Sequence, residues 1–260
     1  MATAKEARAW ARSTLRGIGN SLYTPFCGDD GDDIDWDAYR TLVRYCVGEL
    51  RHPMLWCTSG VGEFWSLTLD ERKRLLEVAI EEGRAANPDV VVQACTAAMS
   101  AKDCLELTRH AQEAGADVVY IQTPMMEAHG GIGVLRYFQY IADRTDIALG
   151  MFNSPSSGYV LTPAESARIY DEIPAVCATK EGAFRPAYSR LPPVPWTEPV
   201  SCRYSRCSGF AITAISFNSH VRTAPARCFG AGSLTPSFRP ARGPSRARGS
   251  TRRWCPARCA

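Results

Sequence analysis

One lysine in this chain stands where an amine could act as a nucleophile. Lys180 follows the apolar run Ala175-Val176-Cys177-Ala178-Thr179. That run reads as a buried strand, so the ammonium emerges at the strand's C-terminal tip. Desolvation there disfavours the charged form, lowers the pKa and leaves an amine able to attack a carbonyl and form a Schiff base. The bland alternative is a solvated lysine, or one paired with Glu181. The other three lysines are placed differently: Lys5 is near the N-terminus, and Lys73 and Lys102 fall in helical patterns.

The elements that must position Lys180 alternate along residues 1–190. Strand patterns occupy 18–23, 54–57, 90–94, 118–122, 147–152 and 175–179. Most are continuous apolar runs, as expected of strands covered on both faces. Helical patterns lie between them, at 35–50, from Thr68 through Ile80, and at 101–114, 133–144 and 162–172. Thr68-Leu69-Asp70-Glu71 has the form of a capping box, and Pro163 suits a first helical turn. The units recur about every 28 to 36 residues, the βα period of a parallel α/β fold. The expected architecture is a (β/α)₈ TIM barrel truncated to about six βα units. A doubly wound sheet is the runner-up, weakened because no Gly-x-Gly-x-x-Gly follows a strand.

Active sites of such barrels sit at the C-terminal strand ends. Read in order, these ends are Thr24-Pro25-Phe26, Thr58-Ser59-Gly60-Val61-Gly62-Glu63, Thr96, Thr123-Pro124-Met125-Met126, Asn153-Ser154-Pro155 and Lys180-Glu181-Gly182. The rim is rich in hydroxyls, carries one central lysine and lacks a His/Asp/Glu ligand cluster. It suits carbonyl and carboxylate chemistry better than metal chemistry.

Several of these pieces, in this order, carry a family resemblance. They are Thr24-Pro25-Phe26, Gly62-Glu63-Phe64-Trp65-Ser66-Leu67-Thr68 with Glu71-Arg72, Ala114-Gly115-Ala116-Asp117, Asn153-x-Pro155 and Lys180-Glu181. Over about residues 16–190 the chain resembles the dihydrodipicolinate synthase / N-acetylneuraminate lyase family of class I aldolases. The resemblance implies a (β/α)₈ barrel, a lysine Schiff base with pyruvate or another 2-oxo acid, no metal or cofactor, and a homo-oligomer. Lys180 matches the Schiff-base lysine. Thr58 and Ser59 resemble the hydroxyl pair that holds the keto-acid carboxylate. Counting back from Glu63 without a gap puts Gly60 and Val61 there instead, where backbone amides could bind the anion.

Two departures stand out. The family commonly has Pro-Tyr-Tyr where this chain has Pro124-Met125-Met126, and Met126 cannot relay a proton. His129, in the same loop, is the candidate replacement acid/base, with Tyr159 behind it. The loop 153–158 also lacks the Arg that typical dihydrodipicolinate synthases carry. Both departures point away from lysine biosynthesis, towards a divergent 2-oxo-acid aldolase or hydratase-aldolase.

Composition divides the chain near residue 190. Residues 191–260 hold 11 Arg, no Lys and one acid, Glu198, and stand at +10, whereas residues 1–190 hold 19 basic and 26 acidic side chains and stand at −7. The later segment also has nine of the 17 prolines and five of the 11 cysteines, without helical or alternating periodicity. It reads as a disordered or out-of-frame tail after an incomplete barrel domain at 1–190. Its cysteines lack zinc-ligand spacing, and its arginines lack the aromatic interleaving of a specific nucleic-acid module. If the barrel cannot close, the alternative function is a non-catalytic truncated relative.

Residues 1–17 have no apolar h-region and so do not read as a secretory signal. They are Arg-bearing and weakly amphipathic, which leaves an organelle presequence open. No run reaches the length of a membrane span. Six scattered cysteines in residues 1–190 suit a reducing compartment, and a cytoplasmic location is expected.

Overall fold

The computed structural model describes residues 2–125 and 130–182, together with the backbone of 200–201 and 214–217. All of these lie within the first compact unit, Met1–Arg222. Six parallel strands form one curled sheet: β1 (Gly19–Ser21), then, after the two-residue strands β2 (Phe26–Cys27) and β3 (Asp33–Ile34), β4 (Met54–Cys57), β5 (Val91–Cys95), β6 (Val118–Gln122), β7 (Leu149–Asn153) and β8 (Val176–Glu181). Each of these six parallel strands pairs with the next in chain order. The connecting helices are α2 (Trp36–Arg44), α3 (Leu69–Ala86), α4 (Ala101–Ala114), α5 (Gly130–Ala142) and α6 (Pro163–Glu172), preceded by α1 (Ala7–Thr14). This is a half-barrel of (β/α)₈ type, as expected.

Local chemistry sets the helix limits. Thr68 and Thr162 both make full capping boxes, with Glu71 and Glu165 reaching back. Gly115, at φ 93°, ends α4 in the left-handed region, where a side chain would be strained. Two residues on, the Asp117 carboxylate accepts from the Val92 amide at 2.9 Å and pins the start of β5. The Ala114-Gly115-Ala116-Asp117 motif is therefore structural.

Side chains alternate between two cores. On the helix side lie Leu55, Val92, Val119, Ile121, Leu149 and Met151, packed with Val43, Leu75, Phe138 and Ile169. The concave side holds Met54, Trp56, Val91, Cys95, Tyr120, Phe152 and Ala178, with Ala7 and Ala11 of α1 and Leu15 just after it. Gly150 is required here: a Cβ would lie 2.6 Å from the Tyr120 ring, which crosses β7 at that point.

One irregularity decides where Lys180 points. Leu149 pairs with Val176 but Gly150 pairs with Ala178, so Cys177 is an unmatched, bulged residue. Cys177 and Ala178 both join the concave core. In a regular strand Lys180 would share the helix-side parity of Val176; the extra residue shifts it to the concave face. The sequence reading ended this strand at 179, but it runs to Glu181, so Lys180 lies within the strand rather than beyond it.

Most other boundaries moved by one or two residues, but α3 runs six residues past Ile80 and α5 begins three residues before 133. The pattern at 35–50 resolves into α2 and a wider turn at Tyr45–Glu49. The amphipathic start of the chain forms α1, whose Arg8 donates to the carbonyls of Tyr170, Ile173 and Val176 while stacking on Tyr170. Beyond 191, where no strand pattern was legible, β9 (Val200–Ser201) and β10 (Ala214–Phe217) add antiparallel strands after β8. An unpaired strand edge accepts an extended segment whatever its side-chain pattern. These are not barrel strands in the parallel order. The expected disorder and out-of-frame origin of 191–260 otherwise lie outside the described residues.

Candidate active site

Lys180 stands on the concave face at the C-terminal end of the sheet, abreast of Phe152 and, one strand further, Gln122. Its Nζ lies 4.4 Å from the Phe152 ring centroid and 5.3 Å from that of Trp56. Burial pushes the amine below the ordinary lysine value, against weaker opposing influences from Cys95 and Glu181. The aromatic faces favour the ammonium, but they do not replace lost water. The result is an amine shifted towards its neutral, nucleophilic form.

The shell around it is fixed by backbone-directed bonds. Fully buried Asn153 donates to the Leu161 carbonyl at 3.3 Å and to the Glu181 carboxylate at 2.8 Å, and accepts from the Leu161 amide. The Gly182 amide donates to the Asn153 carbonyl at 2.8 Å. A Cβ on Gly182 would come within 3.1 Å of Lys180 Nζ, so the chain turns away here through a residue without one. Asn153-x-Pro155 and Lys180-Glu181-Gly182 thus form one braced unit.

Among the described residues, the loop after β4 carries two of the three non-glycine residues with positive φ, Thr58 at 51° and Glu63 at 53°. Backbone strain of this kind persists only where surrounding bonds hold it. Thr58 Oγ1 donates to the Cys95 carbonyl at 2.9 Å, which also accepts from Arg72 Nη2 at 2.9 Å. Arg72, buried and stacked on Phe64, further donates to the Ala97 carbonyl. A Cβ on Gly62 would press on the Leu22 carbonyl at 3.0 Å.

The sequence candidates in this loop therefore differ. The Thr58 hydroxyl is committed to structure. Ser59 Oγ lies 3.2 Å from Ser21 Oγ. Two hydroxyls sharing one bond leave one proton to donate elsewhere. The Gly60 and Val61 amides have no partner among the described residues, whereas those of Gly62 and Glu63 donate to Ser59 and Gly60 carbonyls. Ser21 was missed in the sequence; its parity on β1, inward like Trp56 across the pair Ser21–Trp56, was the available signal. Met126 and His129 lie outside the described residues. Tyr159 hydrogen-bonds Glu165 and packs against the helix-side core, and that bond raises its pKa to about 12. It is not brought to the face that carries Lys180.

The concave wall holds four buried polar atoms without a hydrogen-bond partner: Trp56 Nε1, Gln93 Nε2, the Tyr120 hydroxyl and Gln122 Oε1. Among the described residues no three His, Cys, Asp or Glu side chains converge as metal ligands. Two clefts lie elsewhere. One of about 360 Å³, lined by Trp10, Arg84 and Asp117, opens at the N-terminal strand ends; one of about 580 Å³, lined by Lys73, His110 and Tyr140, lies over the helices. Neither is at the strand ends where such folds react.

Fold and rim together define a (β/α)-barrel protein with a half-buried lysine on its sixth parallel strand. The chain belongs to the Dihydrodipicolinate synthetase family, whose profile matches residues 14–186. It is 33% identical over 168 residues to a 4-hydroxy-tetrahydrodipicolinate synthase of Thermotoga neapolitana, covering 64% of this chain and 55% of that one. It is 27% identical over 207 residues to the Nitrobacter hamburgensis protein of that name, covering 80% and 66%. Among solved structures it resembles YagE of E. coli K12, a prophage protein of the dihydrodipicolinic acid synthase family seen in complex with pyruvate. That match has a TM-score of 0.60 and 27% identity, covering 66% of this chain and 56% of that one. The dihydrodipicolinate synthase of Thermotoga maritima gives a TM-score of 0.59 at 28% identity, covering 65% and 55%. The chain spans about half the length of most of the curated relatives it matches.

Proposed function

We propose that this protein is a lyase of the aldolase type that forms a Schiff base between Lys180 and pyruvate or another 2-oxo acid. The observation that carries the reading is the bulge-directed Lys180, desolvated against Trp56 and Phe152; the sequence resemblance assigns it the role of the family's Schiff-base lysine. The neutral amine attacks the keto carbon and water leaves, giving an iminium. The iminium then accepts the electron pair as a proton leaves the adjacent carbon. The resulting enamine attacks an aldehyde, and hydrolysis frees the product and the amine. The carboxylate is held by the Gly60 and Val61 amides and the spare Ser21/Ser59 proton. This replaces Thr58, whose hydroxyl is already used. Proton relay by His129, in place of Met126, belongs to the same proposal.

The family match and the pyruvate complex of YagE favour this reading over a non-catalytic relative. A reducing, cytoplasmic setting is supported by six free cysteines, five of them buried, among the described residues. No helix among those residues is long and apolar enough to cross a membrane.

The test is reductive trapping. With pyruvate and borohydride together, mass spectrometry should find a secondary amine on Lys180 and on no other lysine. Lys180→Arg should abolish it, because a guanidinium stays protonated. Label spread evenly over all four lysines would defeat the proposal.

A further inference from the structure

Of the four concave-wall side chains with unpartnered polar atoms, Gln122 alone stands in the register row of Lys180. Tyr120 is one inward position deeper on β6, and its ring lies across Gly150. Gln93 pairs with Val118, deeper still. Gln122, by contrast, pairs with Phe152, which pairs with Lys180. The three side chains stand in a row across three neighbouring strands, on one face. At the usual strand spacing the Gln122 and Lys180 backbones are about 10 Å apart, with the Lys180 amine over the Phe152 ring between them.

The Gln122 amide is not free to turn. Its Nε2 donates to Ser156 Oγ at 2.9 Å, and Ser156 is held in turn by Ser154 Oγ at 2.9 Å. The residue is only 2% exposed. A buried carbonyl oxygen without a donor is unfavourable, and an oriented one is a standing demand for a donor. Phe152, the residue between them in this row, has no donor, and the Lys180 amine is engaged in the reaction.

We infer that Gln122 is a specificity-determining residue, its Oε1 accepting a hydrogen bond from a hydroxyl of the aldehyde-derived half of the substrate. This rests on the Lys180 reading and adds the substrate class: a hydroxyaldehyde partner, and hence a hydroxylated 2-oxo acid, in preference to an alkyl aldehyde of the same length. A 2-oxo acid joined to Nζ through its second carbon extends over the Phe152 ring, and a hydroxyl three or four carbons on, brought by the aldehyde's own chain, reaches the Gln122 carbonyl. A methyl or methylene there leaves the acceptor unsatisfied, and a site built around a hydrogen bond rejects the analogue that lacks it.

The experiment compares condensation of pyruvate with glyceraldehyde and with propanal, which share a three-carbon skeleton. The full chain should prefer glyceraldehyde in kcat/KM by about tenfold or more, the scale of one buried hydrogen bond to an otherwise orphaned group. Gln122→Met keeps the volume and removes the acceptor, so the preference should fall towards unity. Ser156→Ala, at an exposed loop position, frees the amide to rotate and should lower the preference by a smaller factor; it carries the test if Gln122→Met does not fold. A normal pyruvate adduct on Lys180 with no hydroxyl preference overturns this inference alone, as does a preference unchanged in the folded variants. Absence of any adduct on Lys180 overturns the Schiff-base reading and this inference with it.

Discussion

The two faces of the parallel sheet are made by the same strands and differ in nearly every respect. The helix-side face is almost entirely aliphatic and has apolar partners from α2 to α6. The concave face carries Trp56, Gln93, Tyr120, Gln122 and Lys180, and four of those five have polar atoms with no partner. Hydrophobic burial stabilises in proportion to the apolar area removed from water. Unsatisfied buried polar groups act against it. The helix side therefore holds the fold together, and the concave side carries hydrogen-bonding groups left unsatisfied within the protein.

Substitutions of similar size should separate the two faces. The largest effect belongs to Lys180→Met, which should remove the trapped pyruvate adduct completely while the protein still unfolds cooperatively in urea. A variant that loses both adduct and fold would show that the concave face is structural after all. Next is Leu149→Ala, on the same sheet but fully buried on the helix side. It should lower the unfolding free energy by about 2–5 kcal/mol, the range for a core leucine that leaves a cavity.

Thr68→Ala should cost about 1 kcal/mol by removing the capping box of α3, measured by the same denaturation. The adduct should persist, because Thr68 touches neither face.

The smallest effect is the pH dependence of stability. Lys180 has a folded pKa below its ordinary value of 10.5. Below the folded value both states are charged, and the native state bears the whole desolvation cost. Between the folded value and 10.5 the unfolded chain keeps a proton that the folded chain has released. Stability contributed by this residue therefore rises with pH across that window. The stability advantage of Lys180→Met over the parent should be greatest at neutral pH and shrink as pH rises towards 10.5. A gap constant with pH would mean the amine is not desolvated.

Much of this division was legible beforehand. Continuous apolar runs at 54–57 and 118–122 mark strands covered on both sides, and Thr68 with Glu71 marks the start of α3. The apolar run 175–179 pointed to Lys180 at the end of a buried strand. The roles of Thr58 and Ser21 were not legible, because they depend on which carbonyl or hydroxyl lies across the sheet in a neighbouring strand. Gln122 reads in sequence as the polar end of a strand; only its register with Phe152 and Lys180 gives it a direction. The α1 segment reads as a weak amphipath because its buried face is alanine, which gives little hydrophobic signal yet fits closely against β8.

The bulge at Cys177 makes the lysine's chemistry depend on arithmetic rather than on identity. Any small residue at 177 should serve, since the bulge sets that residue outside the alternation of β8. Without residue 177 the strand would alternate regularly in the same register, Ala178 opposite Gly150 and Lys180 opposite Phe152, and the lysine would stay on the concave face. What would drive Lys180 into the aliphatic layer beneath the helices is the opposite event, residue 177 drawn into the ladder as an ordinary strand residue. A Cys177→Ala variant and a chain lacking residue 177 should therefore both still trap pyruvate, because the bulge carries one surplus residue that the lysine's direction does not need.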